Sequence, residues 1–132
     1  MSRVVLDAPA LLAYLQDEPG ASVVEQSMHQ GVYISAVNWA EVLSKVAEVG
    51  DPNTLIQYWR NQGWLDDKIK VEPLCMDDAL AIAALRPITR SCGLSLGDRA
   101  CLALGQRLGL PVLTTDRAWA TVSIAVTIQV LR

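Results

Sequence analysis

The 132 residues carry 11 Lys and Arg against 14 Asp and Glu, a net charge of −3, and 52% are apolar with 19% charged. That balance predicts one globular domain over residues 1–132, long enough to bury a core, and excludes a disordered chain. No apolar run approaches the length of a membrane span.

The start, MSRVVLDAPALLAYL, lacks the apolar core and cleavage site of a signal peptide, so a cytoplasmic location is expected. Cys75, Cys92 and Cys101 are odd in number, show no CxxC spacing and lie among apolar neighbours. Buried reduced thiols are expected from them, and neither a disulfide nor a zinc site. His29, the one histidine, sits in polar SMHQG and reads as a surface residue. The net charge weighs little against a nucleic-acid partner. With four carboxylates gathered in one site, the remainder would carry +1, and bound cations would reverse the local field.

In chain order, residues 3–6 form a short β-branched run, and residues 9–16 read as a helix with Pro9 near its first turn. Residues 21–30 are a second helix, closed by Gly31, and residues 32–35 (VYIS) a strand. Residues 37–49 are helical, with Val42, Leu43, Val46 and Val49 near one face and Gly50 at the end. A DPN turn starts a helix over 53–62. Residues 69–74 (IKVEPL) alternate like a strand at a sheet edge, since Pro73 cannot donate to a ladder. Residues 77–85 are helical and are expected to stop before Pro87.

The stretch SLGDRACLALG opens a helix over 95–108, closed by Gly109. Ser95 and Asp98 fit a relaxed capping box with an acid near the positive helix end. Gly97, Ala100, Cys101, Leu104 and Leu108 form a small-residue stripe suited to close packing on a sheet. Residues 111–114 (PVLT) and 124–131 are strands. This alternation predicts an α/β fold with a mostly parallel sheet between helices.

The acids fall at meaningful places on that map. Asp7 ends the first strand, Glu41 lies just over one turn into the helix after VYIS, Asp98 opens a later helix and Asp116 follows PVLTT. Strand C-termini and the first turns of following helices share one edge of a parallel sheet, where open α/β folds bind ligands. Each acid has its own structural reading: Asp7, Asp98 and Asp116 as helix or turn caps, Glu41 as a solvated helix residue. Together they would be four coincidences on one rim. Converging carboxylates repel unless a cation or proton neutralises them. An all-oxygen set suits Mg²⁺ or Mn²⁺, which activates water and polarises a phosphoryl oxygen. No His or Lys stands in these segments for 2′-hydroxyl cyclisation, and no phosphate-binding GxxxxGK[ST] loop or GxSxG elbow is present.

In VVLDAPALLAYL, SAVNWAEVL, SLGDRACLALG and LTTDRAW the chain resembles PIN-domain proteins, specifically the VapC-type toxin ribonucleases of bacterial type II toxin–antitoxin pairs. The four ordered blocks span nearly the whole chain, and residues 52–83 carry little of the likeness. The resemblance implies a three-layer α/β/α sandwich with a mostly parallel sheet. It implies Mg²⁺- or Mn²⁺-dependent endonucleolytic cleavage of RNA, leaving a 5′-phosphate and a 3′-hydroxyl. It assigns Asp7, Glu41, Asp98 and Asp116 to a catalytic metal site, with the Thr114 and Thr115 hydroxyls just before the last acid. A VapB-type antitoxin and a second toxin chain, in a homodimer, are the implied partners. One position departs: relatives read Asp-Ala-Ser in the first block, and here Pro9 replaces the hydroxyl residue.

Arg99 and Arg117 each follow a site acid and are candidates to clamp the RNA backbone. Trp39 reads as core. In WRNQGWL, Trp59 and Trp64 straddle polar residues and read as an exposed aromatic patch for a protein partner. Two other functions fit parts of the pattern. One is a catalytically silent PIN-fold module that binds a partner. The other is a phosphoacceptor receiver domain, which wants paired acids after the first strand and a Lys after a late strand, where this chain has a single Asp7 and TTDR.

Overall fold

In the computed structural model, which describes residues 3–132, strands and helices alternate along the chain. They run β1 (Val4–Leu6), α1 (Ala8–Leu15), α2 (Ala21–Gln30), β2 (Val32–Ser35), α3 (Ala36–Ala47) and α4 (Pro52–Asn61). There follow β3 (Ile69–Glu72), α5 (Met76–Thr89), α6 (Leu96–Leu108), β4 (Val112–Thr114) and β5 (Ile128–Val130). The five strands form one sheet in the order β3-β2-β1-β4-β5, and every pair is parallel. Helices on both faces make it an α/β sandwich.

The period-two geometry of a strand divides the apolar residues between two cores. Leu6, Val32, Ile34, Ile69 and Leu113 face one side, where Leu11, Val24, Met28, Val42 and Trp59 cover them. Val5 and Val112 face the other, against Ile82, Leu85, Leu102, Leu104 and Trp119. Both faces of the central strands are therefore dry, which is why VVL and VLT are nearly continuous apolar runs.

Several expectations needed correction. The helix expected to stop before Pro87 runs through it to Thr89. Proline removes one backbone donor, and the carbonyl it frees belongs to Ala83, which is exposed to water. The last strand is confined to Ile128–Val130, and the strand expected over 69–74 does lie at the sheet edge but ends at Glu72, before Pro73. The aromatic stretch WRNQGWL is no open patch. Trp59 is 4% exposed and stacks on Trp39 at 6.0 Å between ring centres. Helical spacing puts Leu55, Ile56 and Trp59 on one inward stripe of α4 and leaves the intervening polar residues outside. Trp64 is half-buried, with the exposed His29 ring 5.1 Å away. All three cysteines are free, but only Cys101 is buried, and Cys75 is exposed at the start of α5.

Candidate metal centre at the strand ends

From β1 the chain builds outward through β2 and β3, then returns to add β4 and β5 on β1's other side. The crevice of such a sheet opens where these directions part, at the C-terminal ends of β1 and β4. Asp7 is the residue immediately after β1, and Asp116 lies two residues past β4. α3 starts at this edge directly from β2 and carries Glu41 in its second turn. α6 leads back into the parallel strand β4, so its first turn, with Asp98, comes to the same edge.

Asp7 is the most deeply placed of the four, at 1% exposed. Its Oδ1 accepts from the Ala10 amide at 2.8 Å, capping α1, while Oδ2 is buried with no partner. Burial pushes its carboxyl up from 3.8 to about 7. The Thr114 hydroxyl and the Ala10 amide oppose that rise, and the negative charges of Asp98 and Asp116 add to it.

Asp98 completes a capping box. The Ser95 amide donates to Asp98 Oδ2 at 2.9 Å, and the Asp98 amide donates to Ser95 Oγ at 3.1 Å. Asp116 Oδ1 accepts from the Ala118 amide at 2.9 Å and opens the short 3₁₀ helix Arg117–Thr121. The Asp116 amide in turn donates to Thr114 Oγ1 at 3.0 Å. Thr114 is buried, bonded to the Asp116 amide and near enough to Asp7 to lower its carboxyl, and Thr115 is half-buried beside it. Glu41 Oε1 accepts from Asn38 Nδ2 at 2.7 Å. Asn38 is a residue that sequence reasoning missed. Its signal was the spacing of three from Glu41, which puts both on one helical face.

The four acids share one electric field. Asp7 feels Asp98 and Asp116, and the fully buried Cys101 thiol beneath them is pushed up by burial and by the charges of Asp7, Asp98 and Glu41. Each carboxylate uses one oxygen in a hydrogen bond of its own element, and its other oxygen has none among the described residues. Among the described residues, no three His, Cys, Asp or Glu side chains stand in a ready-made ion-holding group. Like charges repel, and the caps keep Asp98 and Asp116 on their own amides.

The arginines separate. Arg117 is exposed directly beside Asp116. Arg99 does not reach the rim: it is 7% exposed, and its Nη1 donates to the Ile82 carbonyl at 3.0 Å, tying α6 to α5. One residue after Asp98 is about 100° around the helix, which turns Arg99 inward. Within the small-residue stripe, Gly97 faces Glu41 of α3 and not the sheet; Gly105, outside that stripe, meets the sheet, where an added Cβ would stand 2.7 Å from Val112.

The PIN domain family profile matches residues 4–125. No curated protein sequence matches significantly. Among solved structures, the chain is similar to one of DNA-bound VapBC from Salmonella typhimurium, at 14% identity and TM-score 0.72 over 100% of both chains. It is also similar to FitAcB from Neisseria gonorrhoeae, at 19% identity and TM-score 0.69 over 95% of each chain. A toxin–antitoxin complex from Klebsiella pneumoniae matches at 20% identity and TM-score 0.63, over 95% of this chain and 99% of that one. With its profile match, its parallel five-stranded sheet and acids at the strand ends, the chain belongs to the PIN domain family.

Proposed function

We propose that this chain is a divalent-metal-dependent endoribonuclease acting as the toxin of a toxin–antitoxin pair. The observation that carries this reading is Asp7, a buried carboxylate at the crevice whose Oδ2 has no partner and whose charge other acids oppose. A buried anionic group in that state is a place for a cation. The all-oxygen donor set fits Mg²⁺ or Mn²⁺ better than a softer metal. Asp7, Glu41, Asp98 and Asp116 would hold it through the oxygens their caps leave free. Such an ion supplies water activation and charge neutralisation at a phosphodiester.

The chain's own groups do the rest. Without metal, Asp7 keeps its proton up to about pH 7, so a cation bound there would displace that proton. Thr114 orders the backbone between β4 and Asp116. Arg117, exposed at the rim, pairs with an RNA backbone phosphate, a contact that positions without reading sequence. The proposed partners are a VapB-type antitoxin and a second copy of the chain, in a cytoplasmic setting. Support comes from the similar structures, described as VapBC and toxin–antitoxin complexes. Pro9 in the first turn of α1, with no ready-made three-acid group, favours a second reading: a catalytically silent PIN-fold binding module.

The experiment is Mn²⁺ titration calorimetry, followed by incubation with total RNA with and without EDTA. Mn²⁺ uptake with EDTA-sensitive cleavage is the expected result. Folded protein that neither takes up metal nor cleaves RNA returns the silent module.

A further inference from the structure

Asn38 is 1% exposed and sits in α3 one turn before Glu41. Its Nδ2 group donates twice, to Glu41 Oε1 at 2.7 Å and to the Gly97 carbonyl of α6 at 3.0 Å. Both partners are acceptors, so the amide has one orientation consistent with them. Its Oδ1 is buried without a partner, so this amide is held for what its NH₂ does. A Cβ added to Gly97 would stand 2.6 Å from Glu41 Oε1 and 3.0 Å from its Cδ. Gly97 has no positive φ, so the glycine is there for space and not for backbone conformation. Glu41 itself is an exposed side chain that would otherwise sample several rotamers.

We infer that Asn38 and Gly97 form a latch that positions Glu41. One amide holds the carboxylate, the missing Cβ leaves room for it, and the same amide ties α3 to the turn of α6 that carries Asp98. The latch rests on the metal-site reading above and specifies how one of its four acids is aimed. Asn38 acts through Glu41 and is a positioning residue.

Gly97→Ala separates positioning from simple packing. The atoms its methyl meets are the end of a flexible side chain, and alanine is the better helix former. The fold should therefore tolerate it while Glu41 moves. The measurement is Mn²⁺ titration calorimetry with melting temperatures for the full chain, Asn38→Ala, Gly97→Ala, Glu41→Ala and both doubles with Glu41→Ala. Loss of a group that orients a ligand weakens metal binding by about 10–100-fold. Asn38→Ala and Gly97→Ala should each weaken Mn²⁺ binding at least to the lower end of that range, Gly97→Ala without lowering the melting temperature. Neither should weaken it further once Glu41 is alanine.

Unchanged Mn²⁺ affinity in Gly97→Ala would overturn the latch, as would an Asn38→Ala effect that persists undiminished without Glu41. If Asn38→Ala fails to fold, Gly97→Ala carries the test alone. If the unaltered chain takes up no Mn²⁺, the metal reading fails, and NMR of the metal-free chain decides the latch. Glu41→Ala and Gly97→Ala must then both shift the Asn38 side-chain amide resonances, and unmoved resonances overturn it.

Discussion

Asp7 and Asp98 each cap a helix, and each brings charge into a site that repels it. For Asp7 the folded chain binds a proton more tightly than the unfolded one, with a carboxyl near 7 against 3.8. Its contribution to stability is complete below about pH 4 and is lost as pH rises through about 7. Asp7→Asn keeps the Ala10 bond through Oδ1 and removes the charge. Without metal, this variant should be more stable than the unaltered chain at pH 8 by the order of a few kcal/mol, and nearly equal to it at pH 4. Urea melts at the two pH values check this, and a variant less stable at pH 8 would count against a buried charge. Asp98→Asn can keep the Ser95 amide bond. As a plain cap it should cost about 0.3–1 kcal/mol and leave metal affinity unchanged. As a member of the acid cluster, its metal-free stability should stay level or rise while Mn²⁺ affinity falls and RNA cleavage is nearly abolished.

At the scale of elements, Arg99 and Arg117 are neighbours of two acids with opposite fates. Arg99 is an internal tie between α6 and α5, and Arg117 stands in solvent at the head of a 3₁₀ turn. Arg99→Ala removes the charged donor that bonds the Ile82 carbonyl in addition to its helical partner, and should destabilise by about 1–3 kcal/mol. Its Mn²⁺ affinity per folded molecule should not change. Arg117→Ala should do the reverse, with an unchanged melt and weaker RNA binding. A parallel loss of RNA binding in both variants would mean that Arg99 reaches the substrate after all. Trp59 extends the contrast to α4. Packed on Trp39 in the core, it should cost about 3–5 kcal/mol on replacement by alanine, measured by urea melting. The half-exposed Trp64 should cost clearly less.

At the scale of the whole molecule, the proposed chemistry and its control are separable. RNA cleavage should stop in excess EDTA and return with Mn²⁺. Mild alkylation of the native chain should label the exposed Cys75 first and spare Cys101, which lies buried beneath the acids. Cleavage should survive that treatment, read by mass spectrometry beside the RNA assay. Expression of the chain alone should arrest growth, and a small cognate partner should relieve it. Harmless expression of soluble, metal-loaded protein would favour the silent module. Among the described residues, no helix is long and apolar enough to cross a membrane.

The positions of the four acids relative to strand ends and helix starts were legible in the sequence because the forces that set them are local. VVL and VYIS make strands from β-branched residues, Ser95 and Asp98 close a box on amides three residues away, and Gly109 ends α6 in a left-handed conformation. What each neighbour of those acids does was not legible. Arg99, Trp59, Gly97 and Asn38 lie on helices whose phase is set by packing against other elements, and a turn of about 100° per residue sends adjacent side chains to different worlds. The raised carboxyl of Asp7 is likewise absent from its local sequence. It arises because the packed fold excludes water from Asp7 while β4 and α6 bring two more acids within reach of its charge, and solvent exclusion is a property of the tertiary structure alone.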